Sequence, residues 1–219
     1  MGYKLSPSSI SLMKECPRCF WLSEHDVWKR PNGIFPSLPS GMDGILKKHF
    51  DKFMKNGKLP PEICGNSECK NLKLFDNKEL LEEWRNSRKG LWFKDDNGNI
   101  LHGGIDNMLV NSVNDKLIVL DYKTRGYPCK EDTHEHYRDQ LNFYNFLLRK
   151  NGYETEDYAF LLFYVPKEVL ETGEVIFDTT LKKISVDIDN AEKLFNNALV
   201  LLESTCPKQC CEWCNGVKT

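Results

Sequence analysis

The eight residues Tyr158–Val165, YAFLLFYV, contain no charged side chain, and their only polar groups are two tyrosine hydroxyls. Successive side chains of a strand point to opposite faces, so this segment is apolar on both. Such a strand belongs in the middle of a sheet covered by helices above and below. The flanking segments supply those layers. Ser6-Pro7 opens a first helix, as a cap residue followed by a proline whose missing N–H costs nothing there. Pro17 interrupts that helix, and Lys29–Pro39 reads as a loop rich in Pro, Gly and Asn. Ser40 is expected to cap a helix to about Asn56, with Met42, Ile45, Leu46, Phe50 and Phe53 on one stripe. His49 lies on that stripe and is expected to point inward, with Lys47, Lys48, Lys52 and Lys55 around its sides and outer surface.

Lys58–Lys73 reads as loop, Asp76 with Glu79 as a capping box for a helix to Arg88, and Gly90–Asn99 as a turn region. Ile100–Val110 and Lys116–Lys123 read as a β-hairpin turning at Asn111–Asp115. Asp132 with Glu135 opens a long helix to Lys150. Glu174–Ile188 gives further strand, and Asp189 with Glu192 caps a last helix to about Glu203. The expected fold is a mixed α/β sandwich. It is expected to form one domain over residues 1–219, with N-terminal helices (1–57) packed against a cysteine-rich tail (204–219).

The chain's 219 residues, 40% of them hydrophobic, are enough to bury a substantial core. No run approaches the ~18 apolar residues of a membrane span, and no apolar targeting segment opens the sequence. The net charge of −2 argues against coating nucleic acid by bulk charge, while leaving room for a local basic groove. Nine cysteines, an odd number without a secretion signal, favour thiol–metal chemistry in a reducing, cytosolic setting over a disulfide framework.

Asp106 falls in the first hairpin strand after Gly103-Gly104, and Asp121 and Lys123 end the second. Residues two apart in a strand share a face, so Asp121 and Lys123 project together, and the hairpin can bring Asp106 beside them. An Asp-x-Lys pair alone also describes a surface ion pair. Here it follows the apolar run LIVL, where a charge is expensive unless paired or holding a metal. Two carboxylates beside an amine form a hard-oxygen site suited to Mg²⁺ or Mn²⁺ and able to stabilise charge on a phosphate. On the next helix Gln140 and Tyr144 are four residues apart, on one face with Tyr137 and Leu141. That pair can hold the lysine, a phosphate or a base, or form an ordinary half-buried rim.

Cys16-Pro17-Arg18-Cys19 and Cys211-Glu212-Trp213-Cys214 are two Cys-x-x-Cys pairs at opposite ends of the chain, with Cys206 and Cys210 as alternates near the second. Four thiolates suit tetrahedral Zn²⁺ or an iron–sulfur cluster and would staple the N-terminal helices to the tail. Cys64, Cys69 and Cys129 are read as non-ligands.

Gly103-Gly104-Ile105-Asp106, Asp121-Tyr122-Lys123 and Gln140-x-x-x-Tyr144 resemble the GxxD, DxK and QxxxY motifs of RecB-like PD-(D/E)XK nucleases. Within that superfamily the likeness is greatest to the iron–sulfur exonucleases associated with CRISPR systems and to the AddB nuclease domain. It runs from SPSSISLMKECPRCFWL to the final cysteines. The resemblance implies a restriction-endonuclease-like core and a Mg²⁺- or Mn²⁺-dependent DNA exonuclease of repair, recombination or CRISPR adaptation. It makes Asp106 and Asp121 metal ligands, with the carbonyl of Tyr122 as a third. Lys123 would activate the water, supported by Gln140 and Tyr144. A helix histidine after a glycine is a further ligand in the family; His49 fits that role at a longer glycine spacing, with Asp43 its rival. The resembled exonucleases hold a [4Fe–4S] cluster with one early and three late cysteines, a spacing from which this chain departs. Backbone contacts to single strands or ends would come from Lys47, Lys48, Arg85, Arg88, Lys89, Arg125, Lys130 and Arg138, above all Arg125 and Arg138. The competing expectations are a catalytically silent nucleic-acid-binding module and a structural subunit organised by its thiolate site.

Overall fold

The computed structural model of the chain describes residues 2–31, 33, 36–86 and 90–217. It is mixed α/β, with a central mixed sheet flanked by helices, as the apolar strand requires. Short β1 (Lys4–Leu5) leads into α1 (Pro7–Glu15), whose capping box is a reciprocal pair: Ser6 Oγ accepts from the Ser9 N–H, and the Ser6 N–H donates to Ser9 Oγ. Pro17 ends α1 and at once opens α2 (Pro17–Glu24), capped by the sulfur of Cys16. This places Cys16 and Cys19 around the first turn of a helix.

The long helix α3 (Ser37–Lys55) begins four residues before the expected start, and no side chain caps it. The expected loop at Lys58–Lys73 holds a short α4 (Pro61–Cys64), a 3₁₀ turn (Ser67–Cys69) and the start of β2 (Leu72–Leu74). Helix α5 (Lys78–Arg85) is capped by Asn77, one residue after the expected Asp76. The expected turn at Gly90–Asn99 contains β3 (Leu91–Lys94), which pairs with β4 (Ile100–Gly103).

Ile100–Val110 is not one strand. It divides into β4 and β5 (Asn107–Asn111), separated by Gly104, Ile105 and Asp106. β4 sits between β1 and β3 in a three-stranded sheet, whereas β5 enters the five-stranded sheet of order β2-β5-β6-β7-β8. Here β6 is Leu117–Thr124, β7 Tyr158–Val169 and β8 Val175–Ser185. Helix α6 (Glu135–Lys150) joins β6 to its parallel neighbour β7. No side chain caps α6: Asp132 contributes only its carbonyl, and Thr133 Oγ1 accepts from the Lys130 N–H instead. The last helix, α7 (Ile188–Glu203), is capped by Asp187 rather than Asp189.

Ala159–Tyr164 of β7 are all buried, in keeping with their apolar character on both faces. On one face Phe50 of α3 meets Tyr122 with ring centroids 4.8 Å apart; on the other Tyr137 of α6 meets Phe163 at 6.0 Å. The smaller sheet packs on α6, where Phe93 lies edge-on to Phe146. Gly103 is needed there: a Cβ at this position would lie 3.1 Å from the Tyr144 ring. Among the described residues no helix is long and apolar enough to cross a membrane.

Candidate active site and thiolate centre

β5 and β6 are antiparallel, with Asn107 opposite Leu120 and Met108 opposite Val119. Carried one step further, that register sets Asp106 across from Asp121. Asp106 thus reaches the site from the bend before β5, not from within a strand. Asp121 is 1% exposed. Burial pushes its carboxyl up to about 7; the Lys123 charge opposes this, and the nearby Asp106 carboxylate reinforces it. Lys123 Nζ lies 2.5 Å from Asp121 Oδ2 as an ion pair, but without hydrogen-bond alignment, so that buried oxygen has no hydrogen-bond partner.

Lys123 is fixed from the other side by α6. Its Nζ donates to Gln140 Oε1 at 3.1 Å and lies 4.9 Å from the Tyr137 ring centroid. Gln140 Nε2 donates to the Tyr144 hydroxyl at 2.6 Å. Burial holds Tyr144 well above the usual phenol range, so its hydroxyl stays protonated. The four-residue spacing on α6 therefore builds one chain of contacts: Tyr144 to Gln140 to Lys123 to Asp121. Tyr122, between the two site residues on β6, turns its side chain to the opposite face, where Asn107 Nδ2 donates to its hydroxyl. Only its backbone can face the carboxylates.

His49 is not brought to this site. Its Nε2 lies 3.0 Å from Glu62 Oε1, which also accepts from the Tyr164 hydroxyl. Tyr164 is paired with Thr124 and so shares the Tyr122 face of the sheet, opposite Asp121 and Lys123. The structure thus sets His49 against Glu62 and not beside Asp106 and Asp121. Two residues along a helix turn by about 200°, so with Lys47 facing Asp106, His49 must face away. Lys47 Nζ lies 2.9 Å from Asp106 Oδ1 and 2.8 Å from Asp43 Oδ2. Burial works to lower the Lys47 ammonium, but Asp106 and Asp43 outweigh it and hold it above the ordinary lysine value.

Lys47, expected as a backbone contact to DNA, instead lies against the Asp106 carboxylate. Asp43, Lys47 and Asp51 recur every fourth residue on α3, and that charged stripe is the signal that marks them. Asp51 holds Arg85 by two contacts at 2.9 and 3.1 Å, and Arg85 Nε donates to the Asp106 carbonyl at 2.8 Å. Arg85 therefore braces the bend that carries Asp106 and is not free for a phosphate. Arg138 pairs with Glu135. Lys48 and Lys130 are exposed, Arg125 keeps a buried Nε without a hydrogen-bond partner, and Arg88 and Lys89 lie outside the described residues.

Two buried or half-buried carboxylates side by side, one of them with a raised pKa, are a donor set that a hard divalent cation fits. The chain ends form a different set. Cys16, Cys19, Cys211 and Cys214 lie with all four sulfurs within 4.8 Å of one another. Among the described residues this is the one group of three or more Cys, His, Asp or Glu donors so closely gathered. Cys206 Sγ instead accepts from Arg18, and Cys210 is exposed beside Asn215. Without a metal the four thiols are uneven. Burial pushes Cys19 up to about 12; Cys211, against its own desolvation, falls to about 6 because N–H and S–H groups around it favour its thiolate.

The sequence matches the PD-(D/E)XK nuclease superfamily over residues 4–215, and the chain belongs to that superfamily. Its members are phosphodiesterase nucleases that use divalent metals. The search of curated proteins finds no match. Among solved structures, the crystal structure of SSO0001 is similar over 93% of this chain and 79% of its own, at 16% identity and a TM-score of 0.46.

Proposed function

We propose that this chain is a metal-dependent nuclease that hydrolyses phosphodiester bonds in DNA at the site formed by Asp106, Asp121, Lys123, Gln140 and Tyr144. The observation that carries the reading is the meeting of Asp106, Asp121 and Lys123 at one buried carboxylate, whose pKa burial and the Asp106 charge push up against the Lys123 charge. Asp106 and Asp121, joined by the Tyr122 carbonyl, would hold Mg²⁺ or Mn²⁺, which when bound supplies Lewis-acid stabilisation of phosphate charge.

The protein's own part is positioning. Asp121 holds the Lys123 ammonium, and Gln140, itself braced by Tyr144, fixes its direction. A lysine so held presents its other N–H donors to an attacking water or a phosphate oxygen from a fixed position, which is the preorganisation that makes such groups effective. Arg125, two residues beyond Lys123 on the chain and half-buried, is the basic residue next to the site that we take to meet a phosphate. A cleft of about 810 Å³ between α1 and α6 reaches Gln140 and is lined by Ser8, Ser11, Lys14, Arg30 and His136. Its serine, lysine, arginine and histidine lining supports the reading of a single strand or a frayed end as the substrate.

The test is cleavage of end-labelled single- and double-stranded DNA with Mg²⁺ or Mn²⁺. Asp121→Asn and Lys123→Ala should each lose at least about 10²–10⁴-fold, the usual contribution of a group of this kind, with unchanged circular dichroism. Cleavage that survives in both variants removes the assignment. One observation favours a second reading, DNA binding without cleavage: the Lys47 ammonium already neutralises Asp106. In that case the parent protein shifts DNA in gels and cuts none at any metal concentration.

A further inference from the structure

We infer that Cys16, Cys19, Cys211 and Cys214 hold one tetrahedral Zn²⁺ ion, and not the [4Fe–4S] cluster that the resembled exonucleases carry. The argument is one of room. The sulfurs of Cys19 and Cys211 are 3.4 Å apart, those of Cys16 and Cys214 3.8 Å, and those of Cys211 and Cys214 3.9 Å. No pair of the four exceeds 4.8 Å. Four sulfurs around one zinc at bonds of about 2.3 Å stand about 3.8 Å apart, the edge of that tetrahedron. In a four-iron cluster each cysteine binds a different iron and points outward from a core of eight atoms. Its sulfurs must then stand apart by an iron–iron edge plus the outward spread of two bonds. A group gathered within 4.8 Å encloses one ion and no core.

The choice of ligands agrees. Two early and two late cysteines form the group, each pair a Cys-x-x-Cys, which is the arrangement of a structural zinc site. An early-one, late-three set would need Cys206 or Cys210. The first is occupied by Arg18 Nη1 at 3.2 Å, and the second is exposed. Four thiolates around one divalent ion leave a double negative charge, and the surroundings answer it. The Cys19 N–H donates to Cys16 Sγ, the Cys211 N–H to Cys214 Sγ, and Arg30 Nη2 lies 3.7 Å from Cys211 Sγ. Donors of this kind set the orientation and charge of metal ligands. Around the sulfurs Leu12, Trp21, Leu22 and Trp28 form a small apolar shell, of which Leu12 and Trp21 also pack on the main core. The ion would add a covalent tie between α2 and the tail to the hydrogen bonds that Arg18 makes to the Pro207 and Val217 carbonyls.

The test is metal analysis of the full chain, expressed with both zinc and iron supplied and purified without oxygen. The expected result is one zinc per chain, no acid-labile sulfide and no visible chromophore, with that zinc released when a mercurial blocks the thiols. Cys206→Ser with Cys210→Ser should keep that zinc, whereas Cys19→Ser with Cys211→Ser should lose it. Iron and sulfide near four per chain, a single iron in place of zinc, an absence of metal, or loss of zinc from the Cys206/Cys210 variant would each overturn the inference. Asp121→Asn should keep its zinc whether or not the chain cleaves DNA, so this outcome is independent of the nuclease reading.

Discussion

The carboxylate site and the cysteine site solve the problem of gathering like groups in different ways. Asp106 and Asp121 are neighbours across one hairpin, and each already has an ammonium partner, Lys47 or Lys123. Their mutual repulsion is balanced by protein charge, so the fold does not depend on a metal there. The four cysteines come from opposite ends of the chain and have only peptide N–H groups and Arg30 to offset them. Locality and internal countercharge make the first site self-sufficient. On the zinc reading, the second depends on its ion.

The most severe way to break this contrast is to remove ligands from the second site. Structural zinc is worth about 10–16 kcal/mol in small zinc-finger peptides, against about 5–15 kcal/mol for the whole stability of a typical domain. Cys19→Ser with Cys211→Ser should therefore melt at least about 10 °C below the parent, or fail to accumulate in soluble form. Asp121→Asn should melt at or above it. Identical melting curves for the cysteine variant and the parent would erase the difference between the two regions.

A subtler effect belongs to Asp121 alone. Its folded pKa is raised from 3.8 to about 7 by burial, with Asp106 reinforcing the shift against the Lys123 charge. Between those values the folded state binds the extra proton, so this group costs stability as pH rises from about 4 to about 7 and adds no further change above. In EDTA, Asp121→Asn should raise the melting temperature by a few degrees at pH 8, and the gain should shrink towards nothing near pH 4. A gain independent of pH would show that the carboxylate is not the strained group.

The smallest expected effect tests the internal countercharge. Lys47→Met leaves Asp106 without its ammonium, which should tighten Mn²⁺ binding about fivefold, the scale of about 1 kcal/mol for a partly exposed pair. Mn²⁺ titration followed by electron paramagnetic resonance would measure it. Unchanged or weaker binding would mean that Lys47 supports the site and does not compete with the cation.

Much of the first site was legible in the chain. Period two placed Asp121 and Lys123 on one face of β6, and period 3.6 placed Gln140 and Tyr144 on one face of α6, because both repeats are properties of the backbone itself. The break between β4 and β5 was marked only by Gly103-Gly104, which also suits a bulge within one strand, and the second sheet decides where the chain leaves the first. The caps show the same limit on a smaller scale. Asn77 and Asp187 stand one and two residues from Asp76 and Asp189, and any of these side chains can bond a nearby N–H. His49 was read correctly as facing its apolar neighbours, since its ring lies 5.0 Å from that of Phe53, yet this is the face of the helix turned away from Asp106.

The sequence by itself determined that the chain must bury a central strand between helix layers, and that a lysine must share a side with an aspartate at the end of the adjoining one. These follow from local geometry and from the cost of wetting an apolar segment. Only the tertiary structure decided that Lys47 rather than His49 meets the carboxylates, and that two cysteines from each end converge while Cys206 and Cys210 stay out. Those outcomes depend on the rotation of α3 against the sheet and on where the tail lies against α2, quantities set by packing across long stretches of chain that no local period encodes.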